Sequence, residues 1–192
     1  RFLDWKHPDD VLEAARRLRD AGYSFRFELI GTGEMEQPLK LLASEAGLLD
    51  KNVCFLGTMS PENVRRHMEN AGIYLFTSDR REGWGAVLNE AMNSGCAVIA
   101  SDAAGATPFL IKDGVNGSVY HSGSVQELYE KLRRLLDDTN LQSRLGSEAY
   151  RTITELWNAE TAAKRLLQLS QTLLSGADAS RLFADGPCSP AK

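Results

Sequence analysis

The sequence predicts an α/β fold built on a doubly wound, Rossmann-like parallel sheet. Segments with strand-like and helix-like patterns alternate between residues 9 and 120. The strand-like segments are short and apolar throughout, which is typical of strands that helices cover on both faces. Right-handed crossovers between such strands favour one doubly wound layer, with ligands bound at the carboxyl ends of the strands.

The first elements follow from apolar spacing and from glycines that end them. A helical stripe of apolar residues predicts a helix over 9–21, and alternation predicts a strand over 25–30. A second helix is expected over 35–46, with Gly47 as its stop. A short apolar strand over 53–56 follows.

The middle of the chain continues the same alternation. Ser60 as N-cap and Pro61 at the first helical position begin a helix that extends to about Asn70. The elements expected after it are a strand over 73–76, a helix ending at 93, a strand over 97–100, a short helix over 108–111 and a strand over 118–120.

Helices predicted over 124–137, 140–157 and 159–174 complete one domain, which we place at 1–174. Residues 175–192 are rich in Gly, Pro, Ser and Ala, a composition that predicts a disordered tail. The loops at 31–33, 57–60, 78–85 and 101–107 all leave strand carboxyl ends. We therefore expect these loops to share one rim.

The composition fits an ordinary globular domain. The chain has 192 residues, 43% of them hydrophobic and 25% charged, which argues against a disordered, collagen-like or coiled-coil protein. A net charge of −4 argues against nucleic acid as a partner. The cysteines Cys54, Cys96 and Cys188 lack a metal-ligand spacing, and we expect free thiols in a reducing cytoplasm. Since the chain does not begin with Met, we expect a fragment of a longer protein.

The most informative segment is 82–90. Gly83 and Gly85 allow close approach of the backbone to a ligand, and the helix that begins there offers free N–H groups to a phosphate. Glu82 is placed to accept hydrogen bonds from sugar hydroxyls. Glu90 lies about 130° from the centre of the helix's apolar stripe. Taken alone, either glutamate is better explained as an ordinary solvated residue.

The two acids together, seven residues apart, resemble the E-x7-E element of the family 4 glycosyltransferases, which are retaining enzymes of the GT-B fold. Gly-Trp-Gly after the first acid and Glu-Ala-Met at the second carry the resemblance. Other segments similar to the family follow in consistent order over roughly 1–174: 1–6 (its Arg-to-Lys spacing), 30–33 (its G-x-G turn), 53–57 (the strand before its base-binding loop), 93–99 (its G-x-P-V-I strand), 113–117 (its D-G-x-x-G turn) and Trp157 (the aromatic residue before its final helix).

Three residues depart from the family's pattern. His7 stands where the family has Gly, and Ala97 stands where it has Pro. Phe109 replaces a frequent Glu, which puts any role for an acid at that position in doubt. None of these departures affects the pair formed by Glu82 and Glu90.

The resemblance implies a catalytic set of Arg1, Lys6 and Glu82. Arg1 and Lys6 would hold the diphosphate of a nucleotide-sugar and stabilise the leaving nucleotide. Glu82 would contact hydroxyls of the donor sugar, and Glu90 would bind the ribose. For lone basic residues near a terminus, the family match alone favours function over solvation.

The resemblance also implies a set of donor-binding loop residues. The backbone of Gly83, Trp84 and Gly85 would meet the sugar or phosphate, and Leu56 and Gly57 would border the base. The remaining members are Gly31, Gly33 and Thr107. Thr107 is equally well explained as a small loop residue without a ligand. The 31–33 turn lacks the third glycine of a dinucleotide fingerprint and is weak support for NAD.

The function implied is transfer of a sugar from a nucleoside diphosphate sugar to a saccharide or glycolipid acceptor, with retention and without a metal cofactor. The family's breadth favours a UDP-sugar as donor. The chain would be the C-terminal, donor-binding half, inactive in transfer alone, with the N-terminal domain of its parent protein as partner. The implied location is cytoplasmic, peripheral at the inner membrane through that N-terminal domain. Alternatives are another GT-B enzyme such as a sugar-nucleotide epimerase or a phosphorylase, a non-catalytic nucleotide-sugar-binding domain, and an NAD-binding domain.

Overall fold

The structure, a computed structural model, describes residues 1–190. Its strands are β1 Phe27–Ile30, β2 Val53–Gly57, β3 Ile73–Phe76, β4 Ala97–Ser101 and β5 Ser118–Tyr120. Its α-helices are α1 Pro8–Asp20, α2 Glu36–Glu45, α3 Pro61–Asn70, α4 Ala86–Asn93, α5 Thr107–Leu110, α6 Val125–Asp137, α7 Thr139–Arg151 and α8 Ala159–Leu174. A 3₁₀ turn at Asp4–Lys6 and a π turn at Thr152–Leu156 complete the elements of the described range.

The predicted alternation of strands and helices is confirmed, and most ends lie within two residues of the predicted ones. One helix differs: the segment predicted over 140–157 leaves the α conformation after Arg151 and continues as the π turn. The Ser60 cap is confirmed, because its hydroxyl accepts a hydrogen bond from the Asn63 amide at 3.3 Å.

All strand pairing is parallel, as the apolar strands predicted, but the strands form two sheets. β1 pairs with β2, and β4 pairs with β3 on one edge and with β5 on the other. Between β1 and β3 lies a cavity of about 960 Å³, which we call the central groove. Its lining includes Arg1, Lys6 and Leu136.

Helices cover both faces of the sheets, and β4 shows why. Its five residues are all buried, and successive side chains point to opposite faces. Ala97 and Ile99 pack in a cluster with residues of α1 and α6, while Val98 and Ala100 pack with residues of α3 and α4. A strand buried on both faces therefore carries no polar alternation, which is the pattern in the sequence.

The segment 175–190 forms no helix or strand, but part of it has defined contacts. Gly186 and Pro187 are buried against α8. The Arg165 guanidinium lies over the Phe183 ring at 4.7 Å and donates hydrogen bonds to the carbonyls of Asp185 and Pro187. The composition of 175–192 predicts a disordered tail. Composition carries no information about contacts with distant residues such as Arg165. Residues 191 and 192, part of that prediction, lie outside the described range.

No helix within residues 1–190 combines the length and the apolar character that a membrane crossing needs.

Candidate functional site

The loops at the carboxyl ends of the strands form one continuous rim, as predicted. The Gly31 amide donates to the Gly57 carbonyl at 2.7 Å, which joins the loops after β1 and β2. The segment 1–6 then crosses from the first of these loops to the loop after β3, with Phe2 N–Thr32 O at 3.0 Å and Asp79 N–Trp5 O at 2.9 Å. This crossing segment places Arg1 and Lys6 on the rim.

Lys6 and Glu82 form an ion pair on the rim. Lys6 Nζ lies 2.5 Å from Glu82 Oε2, and the same carboxylate oxygen accepts a hydrogen bond from Ser78 Oγ at 3.0 Å. The two side chains are mostly covered, at 26% and 14% exposure. Lys6 is fixed further by Thr77, whose hydroxyl donates to the Lys6 carbonyl at 2.5 Å. Two residues 76 apart in sequence thus meet.

A second charged network holds the loop that carries Glu82. Arg81 donates to Asp79 at 2.9 Å and to Asp4 at 2.9 Å, and His7 Nε2 lies 3.4 Å from the Asp79 carboxylate. The hydrogen bond from the Arg81 side chain lowers the pKa of Asp79 to about 2. The loop is therefore tied at both ends to the crossing segment 1–6.

Gly83 and Gly105 allow two loops to touch backbone to backbone. A Cβ on Gly105 would overlap the Gly83 carbonyl oxygen, and Ala106 N donates to Trp84 O at 3.0 Å. Gly83 itself faces open space. Gly85 is different: it is buried at φ 79°, and a Cβ there would overlap the Phe76 ring. Gly83 is free to face a ligand, whereas Gly85 is required by packing at the start of α4.

The loop at 31–33 packs against the first residues of the chain. A Cβ on Gly33 would overlap the Phe2 backbone, and one on Gly31 would lie 3.4 Å from the Arg1 nitrogen. The tight turn expected at 31–33 lies slightly later in the chain, where the Glu36 amide donates to the Gly33 carbonyl at 3.0 Å. Leu56 and Gly57, the predicted border of the base, lie half-buried at the end of β2 beside it.

Glu90 lies on the exposed side of α4, as its angle from the apolar stripe predicts, while Leu88, Ala91 and Met92 are buried. Both Glu90 and Glu82 act electrostatically on one buried group, the Tyr74 hydroxyl. Burial is the main cause that raises the pKa of Tyr74, and Cys96, Glu90 and Glu82 add smaller contributions. Ribose binding by Glu90 stays a prediction.

Thr107 is buried at the start of α5, and its Oγ1 lacks a hydrogen-bond partner within the described structure. Phe109, two residues further, packs in an aromatic cluster with Trp84 and Trp157, at ring-centroid distances of 5.6 and 6.4 Å. Trp84 remains 39% exposed, and its Nε1 donates to Asn89 at 2.8 Å. The Phe109 side chain thus packs against two other aromatic side chains.

The other two departures from the family's pattern also have local reasons. His7 adopts a left-handed φ of 46°, a conformation that favours Gly, and its ring packs toward Asp79. Ala97 donates its amide to the Gly72 carbonyl at 3.1 Å, a hydrogen bond that Pro cannot make.

One cluster in the part of the chain that the structure describes brings three metal-type ligands together. His7, Asp9 and Asp10 have ligand atoms within 4.8 Å of one another. His7 contacts Asp79, and Asp9 and Asp10 lie in the first turn of α1, where acidic side chains are favourable. Because exposed acidic groups often cluster without an ion, this geometry alone assigns no metal. Independence from metal stays a prediction.

Residues directly after β3 were missed by the sequence analysis. Thr77 and Ser78 are buried polar residues that hold Lys6 and Glu82, and Asp79 holds the loop. Their signal was a run of three small polar residues ending an apolar strand at the predicted rim.

Comparison with known proteins decides the family. The glycosyl transferases group 1 family matches residues 1–152, most of the chain. The chain belongs to this family. Its Rossmann-like α/β fold is that of the family's C-terminal domains: the C-terminal domain of a glycosyl transferase group 1 protein, LpcC of Francisella tularensis, superposes with a TM-score of 0.70 at 29% identity, over 80% of each chain.

The names of two further relatives include a nucleotide ligand or a nucleotide-sugar donor. Anabaena HepE in complex with UDP superposes with a TM-score of 0.75 at 25% identity, over 91% of this chain and 47% of that one. A GDP-mannose-dependent α-(1-6)-phosphatidylinositol monomannoside mannosyltransferase of Mycobacterium tuberculosis is 26% identical over 94% of this chain and 47% of its own length. The group 1 chain described here thus spans about half the length of such full-length relatives.

Proposed function

We propose that this chain is the donor-binding half of a retaining, hexosyltransferase-type family 4 glycosyltransferase. The observation that carries the proposal is the Lys6–Glu82 pair on the rim, beside the start of α4. The complete enzyme transfers a sugar from a nucleoside diphosphate sugar to a saccharide or glycolipid acceptor. The relatives' names and the bound UDP of HepE support a nucleotide-sugar as donor.

The proposed chemistry is charge neutralisation of a leaving nucleotide. Arg1 and Lys6 supply fixed positive charge to the diphosphate, and the N–H groups at 83–85 add the dipole of a helix N-terminus. Glu82 accepts hydrogen bonds from the donor sugar, and its contact with Lys6 holds both side chains in place before the donor arrives. With these cations fixed in the protein, the donor requires no divalent metal.

The base is proposed to be uracil, which HepE's complex supports and the GDP-mannose-dependent relative opposes. A thermal-shift panel of UDP, GDP and ADP separates these choices, since stabilisation follows ligand concentration over Kd. Measured with EDTA and again with Mg²⁺ or Mn²⁺, the same panel tests the metal. If EDTA abolished the shift and a metal restored it, the fixed charges would be insufficient.

Ribose binding by Glu90 is tested directly by Glu90→Ala. Loss of a hydrogen bond from a charged group should weaken calorimetric binding of UDP by about 1.5–3 kcal/mol. Because Glu90 is exposed, the unfolding midpoint should stay unchanged. Glu45→Ala, an exposed helical glutamate of α2, is the matched control. Equal affinities of the two variants would return Glu90 to the role of a solvated residue.

Transfer itself is assigned to the complete protein, with the acceptor held by its N-terminal domain. Holding donor and acceptor in one geometry can contribute about 7–11 kcal/mol to barrier lowering, and half a cleft does not supply it. The test compares this chain with the full-length protein on one donor and a panel of free and lipid-linked sugars. Equal rates would place the acceptor site within these residues; binding without transfer by both would favour a non-catalytic domain. The free thiols Cys54 and Cys96 support a cytoplasmic location, which is part of the proposal.

A further inference from the structure

Three side chains of the kind that bind metal ions meet where the crossing segment 1–6 leads into α1. The ligand atoms of His7, Asp9 and Asp10 lie within 4.8 Å of one another. His7 Nδ1 is 3.9 Å from Asp10 Oδ2, which is too long for a hydrogen bond between them. Ligand atoms lie about 2.0–2.2 Å from a bound Zn²⁺. Two atoms at the observed separation can therefore share one ion.

The second nitrogen of the His7 ring already has a carboxylate partner. His7 Nε2 lies 3.4 Å from Asp79 Oδ2, and Arg81 in turn donates to Asp79 at 2.9 Å. Metal-binding histidines commonly donate their other ring N–H to a carboxylate, which fixes the orientation of the ring. With Nε2 engaged by Asp79, Nδ1 is the nitrogen available to an ion, and it is the one beside Asp10.

Two buried polar atoms next to this cluster lack hydrogen-bond partners within the described structure. They are Asp10 Oδ2 and the hydroxyl oxygen of Tyr120, a residue with 1% exposure. Tyr120 ends β5 at the rim, where the Asp102 amide donates to its carbonyl at 3.0 Å. It packs in one cluster with Ala14, which lies one helical turn after Asp10 and on the same face of α1.

The Tyr120 hydroxyl is therefore directed toward the first turn of α1. In agreement, the charge of Asp10 adds to burial in raising the pKa of Tyr120. Native proteins pair nearly all of their buried polar atoms, with ions and water among the partners. The two unpaired oxygens thus point to a bound group between Asp10 and Tyr120.

The balance of charge at this place favours a cation. Burial raises the pKa of the Asp10 carboxyl, and the neighbouring charge of Asp9 raises it further. The nearby cations Lys6 and Arg81 are engaged in ion pairs with other carboxylates. A divalent ion neutralises Asp9 and Asp10 together, as bound cations do in carboxylate sites.

We infer that His7, Asp9 and Asp10 bind a divalent metal ion of the Zn²⁺ class, which ties the crossing segment 1–6 to the first turn of α1. One imidazole and two carboxylates are a ligand set that Zn²⁺ accepts. The fourth position takes a water that is hydrogen-bonded to the Tyr120 hydroxyl.

This site is distinct from the proposed donor site. Its ligands are not the residues proposed to meet the nucleotide-sugar, so the inference does not depend on the proposed activity. His7 also stands where the pattern of the glycosyltransferase family has Gly. The site is therefore not part of the pattern by which the family is identified.

The experiment is a calorimetric titration of the chain with Zn²⁺, without nucleotide, after treatment with EDTA and its removal. His7→Gly removes the imidazole and introduces the residue that the φ of 46° favours. Asp10→Asn removes the charge and keeps the size of the side chain. Each variant should bind Zn²⁺ at least about tenfold more weakly than the wild type.

His67→Ala is the matched control, because His67 also contacts a carboxylate, Glu28 at 2.7 Å, outside the cluster. Its affinity for Zn²⁺ should equal that of the wild type. Zn²⁺ should also raise the unfolding midpoint of the wild type and of His67→Ala, and leave that of His7→Gly unchanged. Co²⁺ in place of Zn²⁺ should give a spectrum without a thiolate charge-transfer band.

Three results would overturn the inference. Equal affinities of the wild type and His7→Gly would place the ion elsewhere on the chain. A thiolate band in the Co²⁺ spectrum would assign the ion to cysteine. A wild type that does not bind Zn²⁺ would show that water alone satisfies Asp10 and Tyr120.

Discussion

Two regions of the sheet carry the same kind of sequence and differ in what surrounds them. β4 has a partner on each edge and all five of its residues are buried. β1 and β3 have one partner each, and their other edges face the central groove. In β3 only Phe76 is buried, although Ile73 and Leu75 are also apolar. The contribution of a strand to stability therefore depends on its neighbours as much as on its composition.

The largest difference is expected between equivalent truncations in the two regions. Ile99→Ala in β4 removes a fully buried side chain and should lower the free energy of unfolding by about 2–5 kcal/mol. Leu75→Ala, at the edge of the groove, should cost less than half as much because water already reaches that side chain. Urea unfolding measures both. Equal losses would break the comparison and show that the open edge is as tightly packed as β4.

A second contrast concerns two of the glycines on the rim, Gly33 and Gly83. Gly33→Ala places a Cβ against the Phe2 backbone and should cost about 1–3 kcal/mol, as overpacking does. Gly83→Ala, where a Cβ meets open space, is the control for stability and should be near neutral. Thermal unfolding measures the difference. An unchanged unfolding midpoint for Gly33→Ala would mean that the segment 1–6 is only loosely packed against Gly33.

Helix caps test whether the contrast between the fully paired β4 and the strands at the central groove extends to the neighbouring helices. Ser60 caps α3, beside the groove, and Asp138 caps α7, whose Gly146 packs against the Gly95 carbonyl before β4. Ser60→Ala and Asp138→Ala should each lower the free energy of unfolding by about 1 kcal/mol. If only Asp138→Ala lowered the free energy of unfolding in urea, α3 would already be open locally in the folded protein, since its cap would then contribute nothing.

The smallest effect is a pH dependence at the rim. The pKa of Asp79 is lowered to about 2 by Arg81, against about 3.9 in an unfolded chain. A lowered folded-state pKa stabilises above the unfolded value, so this contribution is complete above about pH 4 and is lost between about pH 4 and 2. The difference in stability between the wild type and Asp79→Asn should shrink over that window. A constant difference would show that the Asp79–Arg81 contact acts without its charge.

The candidate site could be predicted in part. The family motifs predicted Lys6, Glu82 and Glu90, and the roles of these residues stay predictions. The structure brings Lys6 and Glu82 into contact and places Glu90 on the exposed side of α4. Thr77, Ser78 and the Asp79–Arg81 network were missed, since their role depends on the segment 1–6 lying across the end of β3. Contacts between residues more than seventy positions apart leave no local pattern.

The sequence by itself determined the order of the elements, their parallel pairing and the rim at their carboxyl ends. Apolar runs, caps and glycines act over a few residues, and these local preferences point to the same fold. Only the tertiary structure decided which strands meet, because pairing depends on long-range packing that one strand's composition does not contain. It paired β4 on both edges and left β1 and β3 facing the central groove, with Arg1 in its lining.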